Sequence, residues 1–395
     1  MIIKNNKVDV KKDIFYGFAH LLVAFTSIVV VASIIGLPLP NVFLFCGIGT
    51  LIFKLITKNK IPLVMGISGG YIASMLFVKE TYGVEYMLGG VIIAGIIYII
   101  FGLIMMRWQD KVLKYLPKYI LNMAIVLIGL SLLPIAKDMI GNNVILALIS
   151  IVVVLICNRS ENQIINMISI PLGIAISTII NIFFNGIDIT VLNQTQTLQF
   201  IMPKINLASI FTIGIVAIAI LGELLGDIEN TNNCIKKDLF KEVGVGKIAV
   251  GNGISSIVSG FGGSAPATSY SENTGFLLMS GYHNPNAQIW TALFYILLAF
   301  ATPLISLLQL IPQAAFGGVA IYLYSLITIN ALKELNKNIN LEKEVNKTTV
   351  VIIMLATFFM NIVIGNVTIS SIAVAMLFGI ILNLIFDKTK RKRVV

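Results

Sequence analysis

Two of the eighteen acidic residues, Glu223 and Glu272, fall inside uncharged apolar runs, Ile218 to Leu225 and Thr268 to Leu278. An ionised carboxylate in mid-membrane is costly even on lenient insertion scales, so it normally faces a cavity or a partner and marks a path for substrate or protons. No basic residue in the neighbouring runs obviously neutralises either one, and a carboxyl without a cation is a candidate proton carrier. The plainer role is a hydrogen bond to an adjacent helix. His20 sits early in another apolar run, either in a proton or substrate network or as a satisfied structural group. Asp227 follows Glu223 by four residues and shares its helical face. It is either a cytoplasmic proton relay or a helix-end acid.

The elements that must hold these groups are apolar. The 395 residues are 57% hydrophobic and 12% charged, against roughly 25% charged in an ordinary soluble domain, and the mean hydropathy is +0.94. This composition excludes a soluble enzyme, a disordered chain and a secreted disulfide scaffold. Cys46, Cys157 and Cys234 have no paired or metal-like spacing, and His20 and His283 are the two histidines. No metal site or cofactor is therefore expected. The net charge of +10 could suggest nucleic acid, but the basic residues lie in short segments between apolar runs, where they set membrane orientation. No nucleic-acid partner is expected.

Fourteen candidate spans can be marked, at 15–35, 41–57, 61–78, 87–106, 119–136, 143–157, 165–184, 207–225, 243–260, 264–281, 286–310, 315–332, 348–365 and 366–386. The even count puts both termini on one side. Assigning the loops alternately then leaves Lys79, Lys137 and Lys204 outside and every other Lys and Arg cytoplasmic, Lys54, Lys58 and Lys60 counting as one inner loop. Such a bias is the positive-inside rule at work. The polar N-terminal tail and the long first span make a removed signal peptide unexpected.

The expected class is an all-α polytopic membrane protein. Spans three and ten differ from ordinary helices: one begins Ile61-Pro62 and continues to Ser68-Gly69-Gly70-Tyr71, and the other follows Gly260-Phe261-Gly262-Gly263-Ser264-Ala265-Pro266. They hold matching places if the chain is cut after the seventh span, and an odd-numbered half forces the second half to insert upside down. Paired Gly/Pro-interrupted spans in inverted halves point to a transporter's binding site near the bilayer midplane; close helix packing is the alternative.

The segment Tyr270-Ser271-Glu272-Asn273-Thr274-Gly275-Phe276-Leu277-Leu278-Met279-Ser280-Gly281 resembles the signature of the nucleobase/ascorbate transporters, the nucleobase-cation-symport-2 family. Glu272, Asn273, Gly275 and Gly281 fit, and Ser280 stands for Thr. Gly47 to Pro62, Gly222-Glu223 leading to Lys237-Asp238-Leu239, and Phe316-Gly317-Gly318-Val319 fit the same family in the same order. The resemblance covers most of the chain and is closest to bacterial uracil permeases, because the first signature position is Glu.

It implies fourteen spans as 7+7 inverted repeats, with short strands in broken spans three and ten. The divisions are a cytoplasmic tail 1–14, a first repeat 15–184, an extracytoplasmic connection 185–206, a second repeat 207–386 and a basic tail 387–395. Spans 1–4 and 8–11 form a core domain, and spans 5–7 and 12–14 a gate domain. The implied activity is proton-coupled import of a nucleobase at the plasma membrane by a homodimer with both termini cytoplasmic. Glu223 and Glu272 would bind the base, with Ser271, Ser27, Gly69 and Tyr71 around it, and Glu223, His20 and Asp227 would handle the proton. Acceptor-only carboxylates suit the ring N–H groups of uracil.

Four residues depart from the family pattern. Ala19 replaces a Gln beside His20, Ser27 an Ala, and Asp227 a His. Gly69 replaces a ring-contacting Phe, which removes a stacking face unless Tyr71 fills it, so xanthine or another purine is the alternative substrate. An anion carrier on the same fold is disfavoured because two carboxylates and no basic residue line the expected site. An enzyme has no catalytic constellation to rest on, and a channel would show flux that neither saturates nor needs a gradient.

Overall fold

The computed structural model describes residues 9–115, 118–162, 165–166, 168–186, 196–338, 350–351, 362–364 and 367–369. Helix α1 (Val10–Ile35) starts where the Asp9 carboxylate accepts from the backbone N–H of Lys12, and stops at Gly36 with φ 73°. An acidic cap and a left-handed glycine are ordinary helix punctuation. The helix thus begins five residues before the expected start of the first span, at 15. Helix α2 (Leu39–Ile56) opens with proline at its N-terminus. Strand β1 (Met65–Ile67) and a 3₁₀ turn at Gly69–Tyr71 lead into the short α3 (Ile72–Tyr82). Then come α4 (Val84–Tyr115), α5 (Lys118–Ile140), α6 (Val144–Asn158) and α7 (Ser169–Asn185).

The second half repeats the pattern. Helix α8 (Leu207–Ile235) is followed by one turn, α9 (Leu239–Glu242), then α10 (Val245–Phe261), strand β2 (Ala267–Ser269) and the short α11 (Ser271–Ser280). Helices α12 (Ala287–Phe300), α13 (Thr302–Leu308) and α14 (Gln313–Asn338) follow. Among the described residues five helices are long and apolar enough to cross a membrane, and α12 with α13 makes a sixth candidate. Phe183 and Phe184 stand 82% and 77% exposed, as suits side chains that face lipid tails.

Two expectations about spans are corrected. The eighth was ended at 225, but α8 runs to Ile235. Its apolar run stops at Asp227 because a polar face begins there, while the helix, capped by an Asn206/Ser209 box, continues. The eleventh, read as one span over 286–310, bends by 83° between α12 and α13, with Pro303 placed in the first turn of α13. The thirteenth and fourteenth, 348–365 and 366–386, lie largely outside the described residues. Where they meet, Ile362–Ile364 and Val367–Ile369 pair as antiparallel strands β3 and β4, with Ile364 opposite Val367. β-branched triplets separated by Gly365-Asn366 are a hairpin pattern.

Helices α4 and α10 pack backbone to backbone. A Cβ on Gly95 would stand 2.6 Å from the Gly253 carbonyl oxygen, and one on Gly253 equally close to that of Gly95. Gly102 and Gly246 repeat the arrangement seven residues away, and Gly260 meets Leu88 and Ile92 seven residues the other way. Small residues permit this approach in a bilayer, where packing rather than the hydrophobic effect holds helices together. The described part of the connection, 196–206, lies across the start of α2. Leu39 N–H donates to the Gln196 side chain, and Asn41 donates to the carbonyls of Gln199 and Gly262 while accepting from Gln199 N–H.

Candidate functional site

Strands β1 and β2 pair antiparallel, Met65 opposite Ser269, Gly66 opposite Thr268 and Ile67 opposite Ala267. Each leads into a short helix, so the N-termini of α3 and α11 open at opposite ends of the pair. Free N–H groups and the positive end of the peptide dipole collect at such termini. The crossing is held on every side. Met65 N–H donates to Thr50 Oγ1 at 3.0 Å, Ser256 donates to the Ala267 carbonyl at 3.1 Å, and Ser255 to the Gly49 carbonyl at 2.8 Å. Tyr270 donates its hydroxyl to the Ile67 carbonyl at 2.9 Å, with its ring lying where a Gly66 Cβ would project. Glycine is the residue that leaves that ring its place.

Helix α8 runs along both junctions on one face. Ile220 covers Gly70, Glu223 is half-buried one turn on, Asp227 follows, and Thr231 approaches Thr274 of α11 at 3.4 Å. The Glu223 carboxylate interacts electrostatically with the Tyr71 and Tyr98 hydroxyls. Tyr71 is fully buried, and its hydroxyl donates to that of Tyr98 at 3.1 Å. Its ring has no exposed surface next to Gly69, where the sequence asks it to supply a stacking face.

Asp227 is 3% exposed and accepts from the Ser269 hydroxyl at 2.8 Å. Two turns of α8 follow it, so the helix-end alternative for this acid is excluded and Asp227 is tied to the β2 end of the crossing. Ser27 is buried in α1 two turns beyond His20, on the same face. Ser271 and Glu272 form the first turn of α11, and their side chains lie outside the described residues.

His20 is buried completely. Its Nδ1 lies 2.8 Å from Asn273 Oδ1 and its Nε2 2.9 Å from Gln288 Nε2, while the ring meets Phe276 edge-on at 4.7 Å. The histidine is thus a bridge from α1 to α11 and α12. Gly281 ends α11 with φ 63°, and Ser280 Oγ accepts from Tyr282 N–H. A Cβ on Gly275 would meet nothing within 4 Å among the described residues, so no contact among them requires glycine there. Tyr282 donates to Asp13 at 2.6 Å, Asn284 does so at 2.8 Å, and Tyr282 stacks on Tyr16. Burial and the Asp13 carboxylate push the Tyr282 phenol up to about 12, so it stays a donor.

One expectation about charge is corrected. Lys54, counted as an inner-loop lysine, sits in the last turn of α2 and is 3% exposed. It donates to the Ile61 carbonyl at 2.6 Å and the Pro285 carbonyl at 3.0 Å, and approaches Gln288 Oε1 at 3.3 Å. The site therefore does have a lysine in its supporting shell. The signal was present in Phe53-Lys54-Leu55, a lysine enclosed by an apolar run. Gln288, Tyr98, Ser269 and Thr231 were also missed, and single polar residues in apolar helices carry no spacing signal.

The chain matches the Permease family (Xan_ur_permease) over residues 11–365 and belongs to it. It is a multi-pass membrane transporter, not an enzyme. Curated relatives include a probable uracil permease of Haemophilus influenzae, 26% identical over 96% of both chains, and the uracil permease of Escherichia coli K12, 27% identical over 93% of this chain and 89% of that one. The uracil permease of Paenibacillus larvae is 28% identical over 93% and 92%. Similar solved structures include the transmembrane domain of the cyanobacterial bicarbonate transporter BicA, with TM-score 0.65 and 15% identity over 96% of this chain and 98% of that one. Murine Slc26a9, an anion transporter in its inward-facing state, gives TM-score 0.73 and 12% identity over 98% and 70%. At these identities the likeness shows the shared fold.

Proposed function

We propose that this chain is a proton-coupled symporter that imports a nucleobase, uracil first, across the plasma membrane. The observation that carries the reading is the crossing of β1 and β2 against the face of α8 that bears Glu223 and Asp227. Uracil has two ring N–H groups and two carbonyl oxygens. Carboxylates can only accept, and the backbone N–H groups at the N-terminus of α11 can only donate, so the two sets complement one base. Glu272 and Glu223 take the N–H groups, and Glu223 also carries the proton, with Asp227 behind it. The uracil permease relatives support the base class.

The same proposal takes the fourteen spans as two inverted sevens and sets the core of spans 1–4 and 8–11 moving against the gate of spans 5–7 and 12–14. Two copies form the working unit, with both termini cytoplasmic. A purine is the second reading, favoured by Gly69 beside a Tyr71 that is committed to Tyr98.

The test is thermal stability of the purified protein with uracil, thymine, xanthine, hypoxanthine, guanine, adenine and sulfate, since a ligand specific to the folded state raises stability by mass action. Uracil alone should shift the midpoint. A shift with xanthine and none with uracil selects the second reading, and a shift with sulfate alone sinks both.

A further inference from the structure

Lys54 touches none of the groups assigned to the base or the proton, yet it is 3% exposed while the next residue, Leu55, is 81% exposed. Among the described residues no carboxylate pairs with it; its ammonium group points at carbonyl oxygens of Ile61 and Pro285 and at the Gln288 side chain. An ammonium group has three donors and no acceptor. With Lys54 in its charged form, the end of the Gln288 amide that faces it must therefore be oxygen, as the structure places it at 3.3 Å.

That choice propagates along the chain of contacts. The amide nitrogen of Gln288 is left facing His20 Nε2 at 2.9 Å, so Nε2 must accept. A neutral ring then carries its hydrogen on Nδ1 and donates to Asn273 Oδ1 at 2.8 Å. Asn273 is left with its amide N–H groups uncommitted, and its Nδ2 is buried without a partner among the described residues. The reverse chain, with Gln288 and Asn273 both turned over and hydrogen on His20 Nε2, uses the same side chains and the same space. It would leave Asn273 offering an oxygen, and it would set two nitrogens, Gln288 Nε2 and Lys54 Nζ, against each other.

We propose that Lys54 is a positioning residue that fixes the polarity of the Gln288–His20–Asn273 chain, so that Asn273 presents N–H donors to the substrate site beside Glu272. This rests on the nucleobase reading, since an acceptor at 272 next to a donor at 273 matches a ring N–H next to a carbonyl. The cation acts at the far end and touches no substrate.

The two histidines make the test selective. His283 Nε2 lies 3.1 Å from the Leu277 carbonyl, which can only accept, and 3.6 Å from Cys234 Sγ, so a neutral His283 ring carries its hydrogen on Nε2 and serves as an internal reference. The full chain, labelled with ¹⁵N-histidine and reconstituted in lipid, is examined by solid-state NMR, with His283→Gln assigning the signals. Unsubstituted protein should show His20 with Nδ1 protonated and Nε2 bare. In Lys54→Met the His20 signals should move to Nε2–H or to a mixture, and uracil affinity should fall about tenfold, the size expected from one misoriented hydrogen bond. Lys54→Arg, which keeps the donors, should restore both. Hydrogen on His20 Nε2 in the unsubstituted protein overturns the proposal even if the variants do not fold. So does an unchanged tautomer, or unchanged uracil affinity, in a folded Lys54→Met. If the unsubstituted protein binds no base while its tautomers follow Lys54 as described, the polarity assignment stands and the nucleobase reading falls.

Discussion

The two strand-to-helix junctions match in shape and differ in chemistry. At the first, Ser68-Gly69-Gly70-Tyr71 carries no ionisable group except a phenol, and that phenol is spent on Tyr98; Ile220 closes over Gly70. At the second, Ser269 holds Asp227, Asn273 holds His20, and Thr274 meets Thr231. The matching element order of the two halves thus supplies two helix ends facing one crossing, and the side-chain bonds that reach α1 and α8 are loaded onto one of them. The first junction gives the site its walls, and the second, with α8, gives it its contacts.

Substitutions can break or sharpen this division. Glu272→Gln, at the bonding junction, should weaken uracil binding by roughly 10- to 150-fold, the effect of about 1.5–3 kcal/mol for a hydrogen bond to a charged group; calorimetric titration checks this. Glu223→Gln should leave part of the binding but abolish accumulation driven by a pH gradient in vesicles, separating two functions that Glu272 does not combine. Gly66→Ala tests the walls: its Cβ strikes the Tyr270 ring, so stability should drop by about 1–3 kcal/mol, typical of an overpacked core. Gly66→Ala with Tyr270→Ala should recover part of that loss in thermal melts.

Ser269→Ala should cost about 1.5–3 kcal/mol by removing a buried hydrogen bond to a carboxylate, seen as a lower melting midpoint and a loss of uptake. The smallest effect is expected for Tyr71→Phe, within about threefold of the parent in uracil affinity, because its hydroxyl serves Tyr98 and not the base. Should Tyr71→Phe lose as much affinity as Glu272→Gln, the two junctions share the bonding and the contrast drawn between them is wrong.

The parts legible in the sequence were those written in residue types with few alternatives. Glycine and proline at 61–71 and 260–266 marked the interrupted spans, and the two in-membrane glutamates marked the helices that meet there. Signals that depend on where an apolar run stops misled. The break at Asp227 reads as a helix end, yet two more turns follow because that acid is satisfied by Ser269. Lys54 was hidden by company with Lys58 and Lys60, which suggested a loop. Its burial depends on carbonyls from Ile61 and Pro285, one of them 231 residues away in sequence, and no local pattern encodes that. The Tyr71–Tyr98 contact was out of reach for the same reason.

The glycine seam between α4 and α10 sets a scale for everything beside it. Its contact points are spaced by seven residues on both helices, Leu88/Ile92 with Gly260, Gly95 with Gly253 and Gly102 with Gly246. The next slip that would set two pairs of glycines opposite each other at once is a whole seven-residue step away. The seam therefore works as a vernier with a single setting. Strand β2 follows five residues after α10 ends, so the height of the crossing is read off that setting.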